Sequence, residues 1–198
     1  MKFFDNVTNI VRDDMAETIS RGSRVSIAAA CFSMYAYNEL KKQLEGVEEL
    51  RFIFTSPTFI AEKESKQKRE FFISKHSREQ SLYGTEFEIK LRNEMTQKAI
   101  ARECAEWIRQ KATFKSNTTG ENMGGFMTVE SQGNSYVYMP INGFTTVDIG
   151  CERGNNAYNM VNRAPAPFTE GYLKTFNSIW SDKQKLQDVT DIVIENIA

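Results

Sequence analysis

The residues Arg24-Val-Ser-Ile-Ala-Ala-Ala-Cys-Phe32 form an almost unbroken apolar run that is too short for a typical helix. Bounded by polar residues, the run reads as a strand buried on both faces, as central strands of parallel sheets are. A helical pattern follows over Tyr35–Leu44 and closes at Gly46, and a second apolar strand over Leu50–Thr55 ends at Ser56-Pro57. Strand, helix and strand within about thirty residues make a βαβ unit, since two parallel strands can be joined only by such a crossover. The chain is therefore expected to be α/β, with a sheet that begins parallel.

The remaining pattern extends that sheet. Val7, Val11, Met15 and Ile19 recur at every fourth position and predict an opening helix over Asp5–Arg21, with Gly22 as its terminator. Residues 62–81 are highly charged and include a basic cluster at Lys66, Lys68 and Arg69. They read either as a solvated excursion or as a nucleic-acid contact. Glu88–Lys111 carries the longest amphipathic pattern, with Leu91, Met95, Ile100, Cys104 and Ile108 on one face. Short β segments follow at Ala112–Lys115, Phe126–Glu130, Tyr136–Met139 and Phe144–Ile149, the middle two joined as a hairpin by Ser-Gln-Gly-Asn. Glu170–Trp180 predicts a helix with Tyr172, Phe176, Ile179 and Trp180 on one side. Ser181 and Gln184 have capping-box spacing, so a last helix with the stripe Leu186, Val189, Val193 and Ile197 is expected from there. That stripe is still active at Ile197, which predicts a chain cut from a longer polypeptide, the stripe packing on this domain, on the missing part or on a second copy.

Length and charge bound the function. A chain of 198 residues favours one domain, and a net charge of −1 gives no global field for nucleic acid or anionic membranes. Cys31, Cys104 and Cys151 are too few and too scattered for a disulfide framework or a zinc site, and no apolar run is long enough to span a bilayer. Together they predict a reducing cytoplasm and no membrane partner.

Tests for chemistry are mostly negative. The sequence contains no G-x-x-x-x-G-K-[ST], no G-x-G-x-x-G after the first strand and no G-x-S-x-G elbow. A single histidine, His76, excludes a two-histidine mechanism within one chain. The acidic pair Asp13-Asp14 is read as helix surface. Asp148 stands out, because a carboxylate near the end of the apolar segment Phe144–Ile149 needs a partner or water. Arg153 is its nearest candidate in sequence, either as a structural ion pair or as an arginine directed at an anionic ligand.

The order of elements resembles the phospholipase D-like fold. "RVSIAAACFSMYAYNELKKQL" and "LRFIFTSPTF" are similar to its opening strand, helix and strand, and "EFEIKLRNEMTQKAIARECAEWI" with "QKATFKS" to what comes next. The resemblance implies a mixed, partly parallel sheet flanked by helices over residues 1–182, with an additional C-terminal helix over 183–198. In that superfamily a strand next carries H-x-K and a later one a G-S-x-N-like turn. Here the first of these is "GGFMTVES", in which Phe126, Met127 and Thr128 supply neither histidine nor lysine. The second is matched to Gly150, with Cys151 and Arg153 in the serine and asparagine places. The resemblance thus implies a site that has lost its chemistry.

Over the whole chain, "DNVTNIVRDDM", "SIAAACFSMYAY", "YMPINGFTTVDIGC" and "LQDVTDIVIENI" look like the N-terminal region of bacterial helicase-like ATPases of the superfamily-two, Swi/Snf type, often linked to restriction systems. That resemblance implies a non-catalytic accessory domain contacting DNA or protein, with no cofactor of its own and with ATP and magnesium used by a downstream motor. Arg153, Lys115, Lys66, Lys68 and Arg69 are the expected nucleic-acid contacts, and homodimerisation is a further implied partner. Two alternatives stand beside it: an active phosphodiesterase using His76 or Cys151, and a purely structural oligomerisation domain.

Overall fold

The computed structural model describes residues 1–57, 94–154 and 159–197. Within them the chain runs β1 (Lys2–Phe4), α1 (Val11–Thr18), β2 (Arg24–Ala29), α2 (Met34–Glu39), α3 (Lys41–Glu45) and β3 (Glu49–Phe54). It continues with α4 (Glu94–Lys111), β4 (Ala112–Asn117), β5 (Phe126–Ser131), β6 (Asn134–Met139), β7 (Val161–Pro165), α5 (Thr169–Trp180), β8 (Leu186–Asp188) and α6 (Thr190–Ile197).

The described strands form one mixed sheet in the order β1-β7-β6-β5-β2-β3-β4-β8. β2, β3 and β4 are parallel neighbours, and the predicted βαβ unit is present with Val25 opposite Leu50. The other pairings are antiparallel. The predicted hairpin is also present. Gln132 and Gly133 both have positive φ, the twist that a two-residue turn between β5 and β6 requires.

Alternation along the strands makes two unequal faces. Val25, Ile27 and Ala29 join Leu50, Phe52 and Phe54 in the main core, which α1 to α4 and α6 cover. Phe32 is central to it: its ring lies 5.0 Å from Phe114 and 5.6 Å from Phe52, both edge-on. On the other face Ala28 and Ile53 meet α5 through Phe176. β2 is thus buried from both sides after its first residue, as its apolar run predicts.

Four expectations are corrected. The opening helix is confined to Val11–Thr18, because the Asp5 carboxylate accepts from the backbone N–H groups of Val7, Thr8 and Asn9 and holds residues 5–9 in a turn. Val7 is accordingly 56% exposed rather than on the core stripe. Gly22, with φ +83°, serves the turn into β2 and donates its N–H to Gly46, so it does not end the helix. The segment Phe144–Ile149 is not a strand: Phe144 makes one isolated bridge to Phe32, and Thr145–Gly150 coil into turns.

Lastly, the C-terminal stripe is divided between two elements. Leu186, on β8, pairs with Asn117 of β4, and Val189 donates its N–H to Phe114. The Asp188 carboxylate accepts from the Thr190 N–H and starts α6 there. Val189, Val193 and Ile197 are buried in the main core and Leu186 in the smaller cluster beneath α5, so the stripe is divided between the two faces of the sheet.

Candidate functional site

The segment that carries Asp148, Gly150, Cys151 and Arg153, described over residues 143–154, comes after β6 and lies against the loop leaving β2. Ala30 donates its N–H to Asn142, Phe144 to Cys31, and Ser33 to Phe144, each at 2.8 Å. A Cβ at Gly143 would stand 2.6 Å from the Cys31 sulfur and 2.8 Å from the Asp148 carboxylate, so any side chain there would displace both groups.

The polar groups beyond Phe144 are used to hold the turn. The Thr145 hydroxyl donates to Asp148 Oδ2 at 2.6 Å and accepts from the Asp148 N–H at 3.1 Å, the acceptor role that a capping hydroxyl plays, here closing a turn. Ile149 donates back to the Thr145 carbonyl. Two amides clamp the turn from outside. Asn6 donates to the carbonyls of Asp148 and Asn159 and accepts from the Val11 N–H, while Asn159 donates to the Val147 carbonyl. Thr145→Val should cost about 1 kcal/mol by removing that hydroxyl, read as a lower urea midpoint with an unchanged slope.

Cys151 packs against the main core and is half-buried. Burial, with the Glu39 carboxylate adding to it, pushes its thiol up to about 12. A nucleophilic cysteine needs thiolate, and this environment withholds it. Arg153 is exposed at the rim of a cavity of about 200 Å³ shared with Asp5, Asn6, Val147, Glu152 and Asn159. Two carboxylates line that cavity with one guanidinium: Asp5 is engaged with residues 7–9, and Glu152 accepts from the Thr146 hydroxyl at 2.9 Å. An incoming phosphate would meet more negative than positive charge there.

Lys115 lies elsewhere, on β4 beneath the end of α5. Its amine donates to the Trp180 carbonyl at 2.9 Å and sits 4.3 Å from the centre of the Trp180 ring. It thereby satisfies an end carbonyl of α5, where a cation is favoured. The structure does not bring Lys115 and Arg153 together. Lys66, Lys68, Arg69 and His76 lie outside the described residues.

No family model matches this chain, and no curated protein does either. The site therefore rests on its own geometry.

Two features escaped sequence reasoning. One is Asp14, which is buried in α1, its side chain 4% exposed. It accepts from Tyr138 at 2.7 Å, Lys2 at 3.0 Å and Arg163 at 3.0 Å, uniting α1 with β1, β6 and β7. Burial alone would raise its pKa, but the Tyr138, Lys2 and Arg163 contacts outweigh burial and hold it below the ordinary carboxylate range. The other is a cavity of about 580 Å³ under α5, floored by Ala28, Ile53 and Phe126. The signal for it was present in the apolar side of α5, but a stripe alone does not say whether it is fully seated. Among the described residues there is no cluster of three or more metal-ligating side chains, and no helix is long and apolar enough to cross a membrane.

Proposed function

We propose that this chain is a non-catalytic phospholipase D-like domain serving as an accessory binding module of a helicase-type ATPase in the cytoplasm. The observation that carries the reading is β5, where H-x-K is expected. Phe126 faces the cavity, Met127 lies in the main core and Thr128 is fully buried, so the strand presents an aromatic wall in place of a nucleophile and a phosphate-binding amine. The companion turn, matched to Gly150, Cys151 and Arg153, has no strand leading into it, since Thr145–Gly150 coil into turns. Neither β5 nor that turn offers an activated nucleophile, and the elevated Cys151 thiol weakens the phosphodiesterase alternative. DNA contacts, on this reading, belong to Lys66, Lys68 and Arg69. ATP and magnesium belong to a motor in the same polypeptide.

The test is hydrolysis of bis(p-nitrophenyl) phosphate and of a labelled duplex by the chain. No turnover above buffer is expected, and Cys151→Ser should leave that baseline where it is. Cleavage that disappears in His76→Ala would overturn the reading. A second reading, a self-associating structural domain, draws on Phe3 of the edge strand β1 and Met160 just before β7, 54% and 53% exposed. A mass that rises with concentration, without affinity for duplex at low salt, would favour it.

A further inference from the structure

The geometry points to the cavity beneath α5 as a binding site for a neutral, ring-bearing apolar small molecule. This goes beyond the accessory-domain reading and does not depend on it. Phe168, Gly171, Tyr172, Thr175, Phe176 and Ile179 fall on one face at helical spacing, and all of them line the cavity. An amphipathic helix lying on a sheet normally buries such a stripe. Here only Phe176 of the stripe is buried, while Phe168 is 52% exposed. At its base Ala28 and Ile53 are already covered by Phe176, so the open space lies along the helix side, among Phe126, Phe168, Tyr172 and Ile179. Its volume, about 580 Å³, falls within the range of small-molecule sites.

The lining selects the ligand. Phe126 meets Tyr172 edge-on at 5.1 Å and Phe176 edge-on at 6.2 Å, leaving a corner of ring faces and edges suited to another ring. Gly171 lies within α5, where glycine costs about 1 kcal/mol relative to alanine. A Cβ there would meet nothing within 4 Å, and the same holds at Gly124 on the facing loop. Neither glycine is required by crowding, and each keeps the rim open. The charges at the rim cancel: Lys185 pairs with Glu121 at 3.5 Å. The Lys115 amine is engaged with Trp180. The rim thus offers an ion no net opposite charge, which suits a neutral ligand. Asn122 and Thr175 add polar groups that can orient such a ligand.

The probe is N-phenyl-1-naphthylamine, neutral and apolar, titrated into the full chain. Saturable one-to-one fluorescence enhancement is expected, unchanged between about 50 and about 500 mM salt, a range that screens surface charge. Gly171→Leu should weaken binding at least about tenfold by occupying the volume, while the unfolding midpoint holds or rises because leucine is the better helix former. Thr175→Leu fills the space from the next turn and gives an independent reading if Gly171→Leu does not fold. Absence of a saturable signal, or full binding in a folded filling variant, would overturn the inference. So would self-association of the native chain that Gly171→Leu abolishes, since a second copy would then be the occupant.

Discussion

Asp14→Asn should lower the stability of the fold by about 3 kcal/mol, the order expected when one member of a buried ion pair is removed. Asparagine keeps the shape of the side chain but not the charge that Arg163 and Lys2 face. Arg163 is only 22% exposed and stacks over the Tyr136 ring at 4.8 Å, so it has little water to turn to. Lys2, half-exposed, can swing outward. Lys2→Met should therefore cost less than about 1 kcal/mol, like a surface pair. The two variants separate a buried charge from a surface one in the same urea experiment. The effect also has a pH signature. The Asp14 pKa is lower in the folded chain, so its contribution is fully present above the ordinary aspartate value of about 3.9 and is lost as pH falls through the lowered folded value. Native stability should fall through that acid window, and Asp14→Asn should flatten the fall.

Gly125→Ala is expected to be comparably damaging for a different reason. A Cβ at Gly125 would stand 1.6 Å from the Ile141 carbonyl oxygen and 2.8 Å from its carbon, with the Ala28 carbonyl oxygen at 3.2 Å. These are backbone atoms, and Ile141 is itself tied back by donating its N–H to Gly125 at 2.9 Å. No rotamer change can relieve the clash, so the base of the β5–β6 hairpin must move. A loss of about 3 kcal/mol follows, the upper part of the usual overpacking range. The neighbouring Gly124 has open space where its Cβ would go, and Gly124→Ala should stay within about 0.5 kcal/mol of the native chain. Equal losses at both positions would refute the steric account.

What the sequence made legible follows the range of the forces involved. The β2–α2–β3 unit and the β5–β6 hairpin were readable because their signals are local: an apolar run, a helical period, a turn with the right residues. Asp14 was not, because its partners Tyr138 and Arg163 come from strands far along the chain, and a carboxylate beside Asp13 looks like helix surface. The Thr145–Asp148 turn was legible in principle, since Thr-x-x-Asp has the spacing of a capping box. It was masked by β-branched residues that suggested a strand. At the C-terminal end the spacing of Leu186, Val189 and Val193 suits a helix, but the open edge of β4 took Leu186 as a strand partner. The α/β class was thus open to reading, and the finer fold relationship remains a proposal.

The strand order has a mechanical consequence. β1 and β8, the first and last described strands in sequence, are the two outermost strands of the sheet. Each is held by a three-residue antiparallel ladder, to β7 and to β4. Tension applied between Lys2 and Asp188 would thus load the sheet across its width and reach these short ladders first. The six-residue strands β2 and β3, paired along their whole length, would bear load only after the margins had peeled. Under tension this domain would yield from the outside inward, and its parallel centre would give way last.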